Sequence, residues 1–270
     1  MAMGLMSGCA SVDFVTGKQV NNMYSLTDDI RLGADIQKQI RSEMEKKHCP
    51  ADKDPAQVRK LNEMVARITA VSHLTNLPYE VTLFQTNIPN AMAAPGGKVI
   101  VFEGLYHGKE ALATDDDELA FVLAHEIAHV NCRHSTEEMT RQMPMTLVTV
   151  ATLLYAEQKK DRKLQGWAAA GFLVYQGLII TKYSRDDERE ADRVGLKYMA
   201  RAGYDPRAAA RMWKRLDQAD TSKMSMLNWL STHPTHEARY KELEKQLPEV
   251  LPLYYESRKA GRGDQESGKI

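Results

Sequence analysis

The stretch Phe121-Val122-Leu123-Ala124-His125-Glu126-Ile127-Ala128-His129-Val130 sets an H-E-x-x-H motif inside an apolar run. Apolar residues flank the motif on both sides, so the segment reads as a largely buried helix, and buried histidines need partners. Four residues on a coil of 3.6 per turn put His125 and His129 on one face, one turn apart, where both imidazoles reach a single Zn²⁺. Glu126 then projects beside the metal rather than at it, placed to take a proton from water. A catalytic zinc wants a third protein ligand and one open position.

Spacing sorts the candidates for that third ligand. In the metzincin pattern a glycine lies three residues beyond the second histidine and a third histidine six beyond, and here those places hold Cys132 and Ser135. His134 is one residue short, and reads as a helix-end histidine favoured by the helix dipole. Downstream, Tyr183-Ser184-Arg185-Asp186-Asp187-Glu188-Arg189-Glu190-Ala191-Asp192 is a dense acidic cluster in a helical setting. Glu188, Asp192, Gly195 and Met199 share one face of that helix. Glu188 can complete the zinc site, Asp192 can accept the outer N–H of a ligating histidine, and Gly195 lets the two helices approach. Glu190, about 200° around the helix from Glu188, is the rival ligand.

The surrounding pattern is mostly helical. Thr27 caps a helix over 27–47, and Asp54-Pro55 opens a second with Val58, Leu61, Val65 and Ile68 as its buried stripe. Residues 79–86 and 98–103 read as strands around a Pro95-Gly96-Gly97 turn, with 87–94 as the connection. Thr114 and Asp117 form a near capping box for the motif helix, 115–133. Two apolar stretches, 143–156 and 164–180, separated by a charged turn, read as a helical hairpin. The first is shorter than the ~20 residues a bilayer requires and the second is broken by glycines, so burial or contact with a membrane surface is expected rather than spanning. A helix over 185–202 stops at Gly203, Asp205-Pro206 opens another around Ala209, Met212, Trp213 and Leu216, and the last helix covers 235–247. The fold class is mostly α with a small β-sheet. Three segments are expected: a lipoprotein-signal-like leader at 1–26, one domain at 27–250, and a frayed tail at 251–270.

Composition sets the outer limits. The 270 residues are 43% hydrophobic, enough for a sizeable core, and 36 basic residues balance 36 acidic ones. Zero net charge leaves no global basic field to hold nucleic acid. Cys9, Cys49 and Cys132 are too few for a disulfide scaffold. Met6-Ser7-Gly8-Cys9-Ala10 resembles the end of a bacterial lipoprotein signal, in which Cys9 is lipidated and a polar leader tethers the domain to a membrane face.

Taken together, H-E-I-A-H-V followed by R-H-S, then Y-S-R-D-D-E-R-E-A-D-R-V-G, resembles the gluzincin zinc metallopeptidases of the CAAX prenyl endopeptidase, HtpX and BepA type. The resemblance covers roughly 27–247. It extends to Asn90-Ala91-Met92-Ala93-Ala94-Pro95-Gly96-Gly97 and to Thr232-His233-Pro234 with Arg239 six residues after the histidine. It implies one Zn²⁺ held by His125, His129 and Glu188, with Glu126 as general base and Asp192 supporting a ligand. It also implies that Asn90 and the Ala91 carbonyl bind the backbone of an extended substrate next to an edge strand. His233 corresponds to a histidine that approaches the open metal position, either to stabilise the oxyanion or to occupy it as a fourth ligand. Arg239 would hold the transition-state oxygen or pair with a carboxylate. The implied protein is a minimal periplasmic, membrane-tethered endopeptidase for unfolded or misassembled envelope proteins, or else a latent zinc protein working as a chaperone or assembly factor.

Overall fold

A computed structural model describes residues 10–160, 162–163, 183–218, 233 and 239–262. Cys9, the second arm of the expected hairpin (164–180) and the residues on either side of His233 lie outside this set.

Two short strands, β1 (Ala10–Val12) and β2 (Gln19–Asn21), form an antiparallel hairpin where the sequence suggested only a polar leader. Asp13 organises its turn by accepting from the amides of Val15 and Thr16. Helix α1 (Leu26–Lys46) starts one residue before the position expected, capped by Ser25 rather than Thr27. Ser25 prevails because Asp28 sits three residues on and returns a bond to the Ser25 amide, closing a capping box. Helix α2 (Pro55–Thr69) is capped by Asp54 as read, with Leu61, Val65 and Ile68 buried.

The sheet has three strands in the order β3 (Glu80–Phe84), β5 (Lys98–Phe102), β4 (Ala91–Ala94), with β3 parallel and β4 antiparallel to β5. β4 corrects the reading of 87–94 as mere connection: its alanines carry little intrinsic strand signal, and pairing with β5 supplies the missing preference. It also makes 98–102 the fully buried central strand and β4 the edge. Helix α1 crosses the Pro95–Gly97 turn so closely that a Cβ on Gly33 would lie 1.8 Å from the Pro95 carbonyl oxygen, which only glycine permits.

Helix α3 (Asp116–Asn131), the motif helix, packs against β4 and α2 and is buried from Glu118 to Asn131. Its cap is Asp115, which accepts from the Glu118 amide, whereas Thr114 donates to the Glu118 carboxylate, so the expected Thr114–Asp117 box does not form. The helix ends at Asn131, before the expected 133, and Arg133 takes a left-handed φ of 58° ahead of α4 (His134–Gln158). The first arm of the expected hairpin is therefore the second half of α4, a helix that begins nine residues earlier than read. No helix among the described residues is long and apolar enough to cross a membrane. Helices α5 (Arg185–Arg201), α6 (Arg207–Gln218) and α7 (Arg239–Lys259) complete the described chain. α7 continues through Pro248 and Pro252 to Lys259, so 251–259 is helix rather than frayed tail, and Ser257 Oγ donates to the Arg201 carbonyl. Cys49 and Cys132 are free thiols.

An ion pair between buried Glu118 and partly exposed Arg215 anchors the start of α3. Glu118 accepts two 2.8 Å bonds from the Arg215 guanidinium of α6, together with the amide and hydroxyl of Thr114. Burial would raise the Glu118 pKa, but these donors more than offset it and hold the carboxyl below its usual 4.5. Glu118→Gln is expected to lower unfolding free energy by about 2–3 kcal/mol at pH 7. Because the folded-state pKa is depressed, the contribution is complete above pH 4.5 and disappears as pH falls through the folded-state value. Denaturant titrations of wild type and variant at pH 7 and pH 3 check this: a gap that does not narrow at pH 3 would contradict it.

Candidate metal centre

Three elements deliver the site. α3 brings His125, Glu126 and His129, α5 brings Glu188 and Asp192, and His233 with Arg239, the first residue of α7, closes it. α5 begins with a Ser184–Asp187 capping box, which fixes the register that turns Glu188 inward. Gly195 lets the two helices touch: a Cβ there would stand 2.9–3.0 Å from the backbone of Ala124 and His125.

The donor atoms converge. One ligand atom each from His125, His129, Glu188 and His233 lies within 4.8 Å of the others, and all four residues are buried. Nε2 of His125 and Nε2 of His129 are 3.0 Å apart, with Glu188 oxygens 3.5 and 3.4 Å from them. Lone pairs facing one another at that range repel unless a cation or a proton sits between them. The residues therefore fit a metal. Charge agrees: Glu126, Glu188 and Asp192 are all buried, and among the described residues the Arg239 guanidinium is the one that pairs with this set, so with neutral histidines an excess of two negative charges remains for a divalent ion to cancel. A His/His/carboxylate donor set is the set zinc takes in a catalytic site.

Both histidines of the motif are held from behind. Asp192 Oδ1 lies 3.0 Å from His125 Nδ1, and Arg239 donates two bonds to Asp192 and one of 3.0 Å to Glu188. The Arg239 guanidinium lies 3.9 Å from the centre of the Trp213 ring. Its described bonds thus go to carboxylates, the second of the two roles the sequence left open. Nδ1 of His129 meets Nδ1 of His134 at 2.8 Å, and Tyr183 stacks on the His129 ring at 3.8 Å. His134 is therefore a buried neighbour of His129 at the start of α4, which corrects its reading as a dipole-favoured residue at the end of the motif helix. The cause is the left-handed turn at Arg133, invisible to a periodicity that treats 115–133 as one helix. Glu190, the rival ligand, lies outside the cluster, 3.2 Å from His134 Nε2.

Electrostatics follow from burial and these partners. Burial pulls the His125 pKa down, yet Asp192 and Glu188 carry it above its ordinary value. Burial dominates at His129, which falls well below. Burial opposes ionisation of Glu188, but the His233 charge and the histidine hydrogen bonds hold the carboxyl well below the usual range. At His233 burial is overcome by Glu188 and Glu126, which push it up to about 10.

Glu126, next to His125 on α3, shares this pocket. It is fully buried, and neither carboxylate oxygen accepts a hydrogen bond within the described residues; His233 Nε2 lies 3.2 Å from Oε1 but off hydrogen-bond geometry. Ala91 opens β4, which packs against α3, and Asn90 immediately precedes it. Asn90 spends its carbonyl on the Phe102 amide of β5, and its buried Oδ1 has no described partner. The alternation of an antiparallel ladder then turns the amide and carbonyl of Ala91 toward the open edge.

The fold and this centre define a zinc metallopeptidase of the H-E-x-x-H class with a downstream glutamate. The chain belongs to peptidase family M48, whose model matches residues 55–247. It is 34% identical over 236 residues to the mitochondrial metalloendopeptidase OMA1 of Schizosaccharomyces pombe, covering 87% of this chain and 66% of that protein. It is 32% identical over 214 residues to the metalloendopeptidase OMA1, mitochondrial, of Danio rerio, covering 75% and 43%. It is also 26% identical over 246 residues to the beta-barrel assembly-enhancing protease of Escherichia coli, covering 89% and 48%. The chain thus spans from under half to just under two thirds of the length of these relatives.

Gly195→Ala is expected to cost about 1–3 kcal/mol by forcing α5 off α3. The same displacement withdraws Glu188 from the histidines, so zinc retained after dialysis should fall. A variant with wild-type melting and one zinc per chain would show that the close approach does not matter.

Proposed function

We propose that this chain is a zinc-dependent endopeptidase acting on extended segments of unfolded or misassembled envelope proteins. The observation that carries this reading is the Glu126 carboxylate: fully buried, beside a converging His/His/Glu set, and with the His233 ring 3.2 Å from its Oε1. Burying a carboxylate costs free energy, and a proton acceptor poised for its reaction justifies that cost.

His125, His129 and Glu188 would hold the zinc, which when bound supplies Lewis acidity to the scissile carbonyl and the attacking water. Glu126 takes the proton from that water and delivers it to the leaving amine as the C–N bond breaks. Asp192, its Oδ1 3.0 Å from His125 Nδ1, keeps that ring oriented, and Arg239 fixes both Asp192 and Glu188. The outward amide and carbonyl of Ala91 add a substrate strand to β4, and Asn90 Oδ1 offers a buried acceptor beside it. Main-chain pairing of this kind reads conformation more than side chains, which suits substrates that have lost their fold. The name of the Escherichia coli relative, a beta-barrel assembly-enhancing protease, supports envelope proteins as the substrate class. A periplasmic location with a lipid on Cys9 belongs to the same proposal, as does contact of residues 143–180 with the membrane surface.

A second reading rests on His233. Its Nδ1 lies 2.9 Å from Glu188 and 3.2 Å from His125 Nε2, while its Nε2 faces Glu126, so the ring stands between the base and the ligands. That placement suits a latent enzyme held shut by a fourth donor, working meanwhile as a chaperone or assembly factor.

Glu126→Gln is expected to retain one zinc per chain and lose cleavage of an unfolded protein by at least ~10²-fold, whereas Glu188→Ala loses the zinc. Elemental analysis and a casein-type degradation assay report the two separately; cleavage surviving in Glu126→Gln removes the assigned base. His233→Ala is expected to raise the degradation rate if the ring blocks the site. A fall with zinc retained assigns it to stabilising the oxyanion instead.

A further inference from the structure

Nothing in the chemistry above uses His134 or Glu190, yet both are built into the molecule with care. His134 is 1% exposed although it follows a chain reversal, and the reversal is at Arg133, an arginine in the left-handed region. A non-glycine residue in that conformation costs about 1 kcal/mol. The offset is a buried pair: Arg133 donates from Nε at 2.6 Å and from Nη2 at 3.1 Å to Asp29 of α1, and also to the Tyr24 carbonyl. The turn folds His134 back onto the outer edge of His129. Its Nδ1 lies 2.8 Å from His129 Nδ1, and its Nε2 lies 3.2 Å from Glu190 Oε2. The other oxygen of Glu190 faces Lys18 Nζ at 3.2 Å and Arg193 at 3.5 Å.

These contacts have one consistent set of proton positions. For His129 Nε2 to offer its lone pair to a metal, the hydrogen of the neutral ring must be on Nδ1. That N–H points at His134 Nδ1, which must then accept, so the hydrogen of His134 is on Nε2 and is donated to the Glu190 carboxylate. The opposite arrangement would put a hydrogen on His129 Nε2, where it would face the metal.

We propose that His134 and Glu190 are positioning residues for the zinc, a carboxylate–histidine–histidine chain that locks His129 in its metal-binding tautomer. The chain does for His129 what Asp192 does for His125, so the two ligands are oriented from opposite sides by different devices. The inference rests on His129 being a zinc ligand, as proposed above. It also separates His134 from an alternative its surroundings suggest: Cys132, His134 and Glu190 offer ligand atoms within 4.8 Å of one another. A second metal there would take His134 Nε2, move its hydrogen to Nδ1 and set two N–H groups against each other at 2.8 Å, so that occupancy would oppose ligation by His129. Lys18 and Arg193 on Glu190 also disfavour a cation at that position.

Competition for zinc with a chromophoric chelator, using the full chain, tests this. His134→Phe keeps the ring but not its nitrogens, and is expected to weaken zinc binding about 10–100-fold. Glu190→Ala should weaken it about tenfold, whereas Glu190→Gln, whose amide oxygen still accepts, should stay near wild type. The double variant His134→Phe/Glu190→Ala should bind no worse than His134→Phe alone, because Glu190 acts through His134. Should His134→Phe not fold, the Glu190 pair carries the test, since that side chain is only partly buried. Unchanged affinity in Glu190→Ala, equal losses in its Ala and Gln forms, or a wild type that binds two zinc ions with Glu190→Ala losing only the weaker one would overturn the proposal. His129→Ala is the control for the underlying reading: it should lose zinc altogether, and retained zinc there would sink the ligand assignment rather than the relay.

Discussion

The approach of α5 to α3 at Gly195 is the contact on which everything else depends. Two histidines one turn apart on α3 make half a metal site, and the remaining half must arrive from a helix some sixty residues later in the chain. A side chain at position 195 would meet the backbone of Ala124 and His125, immediately before the motif. With glycine there the helices close, and Glu188, two turns earlier on the same face of α5, comes within 3.5 Å of both imidazoles.

That closure is electrostatically expensive unless a cation joins it. Burying Glu126, Glu188 and Asp192 together concentrates negative charge, which Arg239 relieves only in part. Protons on His125 and His233 can supply the balance, and both groups are shifted toward the charged form. A divalent ion does so better, since it meets the lone pairs directly and displaces those protons. The interior is thus arranged for metal, and the hydrogen bonds behind each ligand keep the donors aimed at it.

Much of this was legible in the sequence. The i, i+4 spacing of His125 and His129, the shared face of Glu188, Asp192 and Gly195, and the strength of Asp54 as a helix starter are local facts with local physical causes. What stayed hidden arises from tertiary contact. β4 is made of alanines and a methionine, so only its partner strand reveals it. The turn at Arg133 depends on Asp29, about a hundred residues away, and without that turn His134 falls on the wrong side of the motif helix. Tyr183 stacking on His129 likewise follows from the fold, although its place just ahead of the acidic cluster could have hinted at it. The extension of α7 through two prolines shows packing against α5 and α6 overriding a local stop signal.

The most direct test of the account is the position of the ion itself, read from anomalous diffraction at the zinc edge on crystals of the zinc-loaded chain. The account predicts a single strong peak in contact with Nε2 of His125, Nε2 of His129 and the carboxylate of Glu188. A peak among Cys132, His134 and Glu190, or none between the two helices, would contradict it.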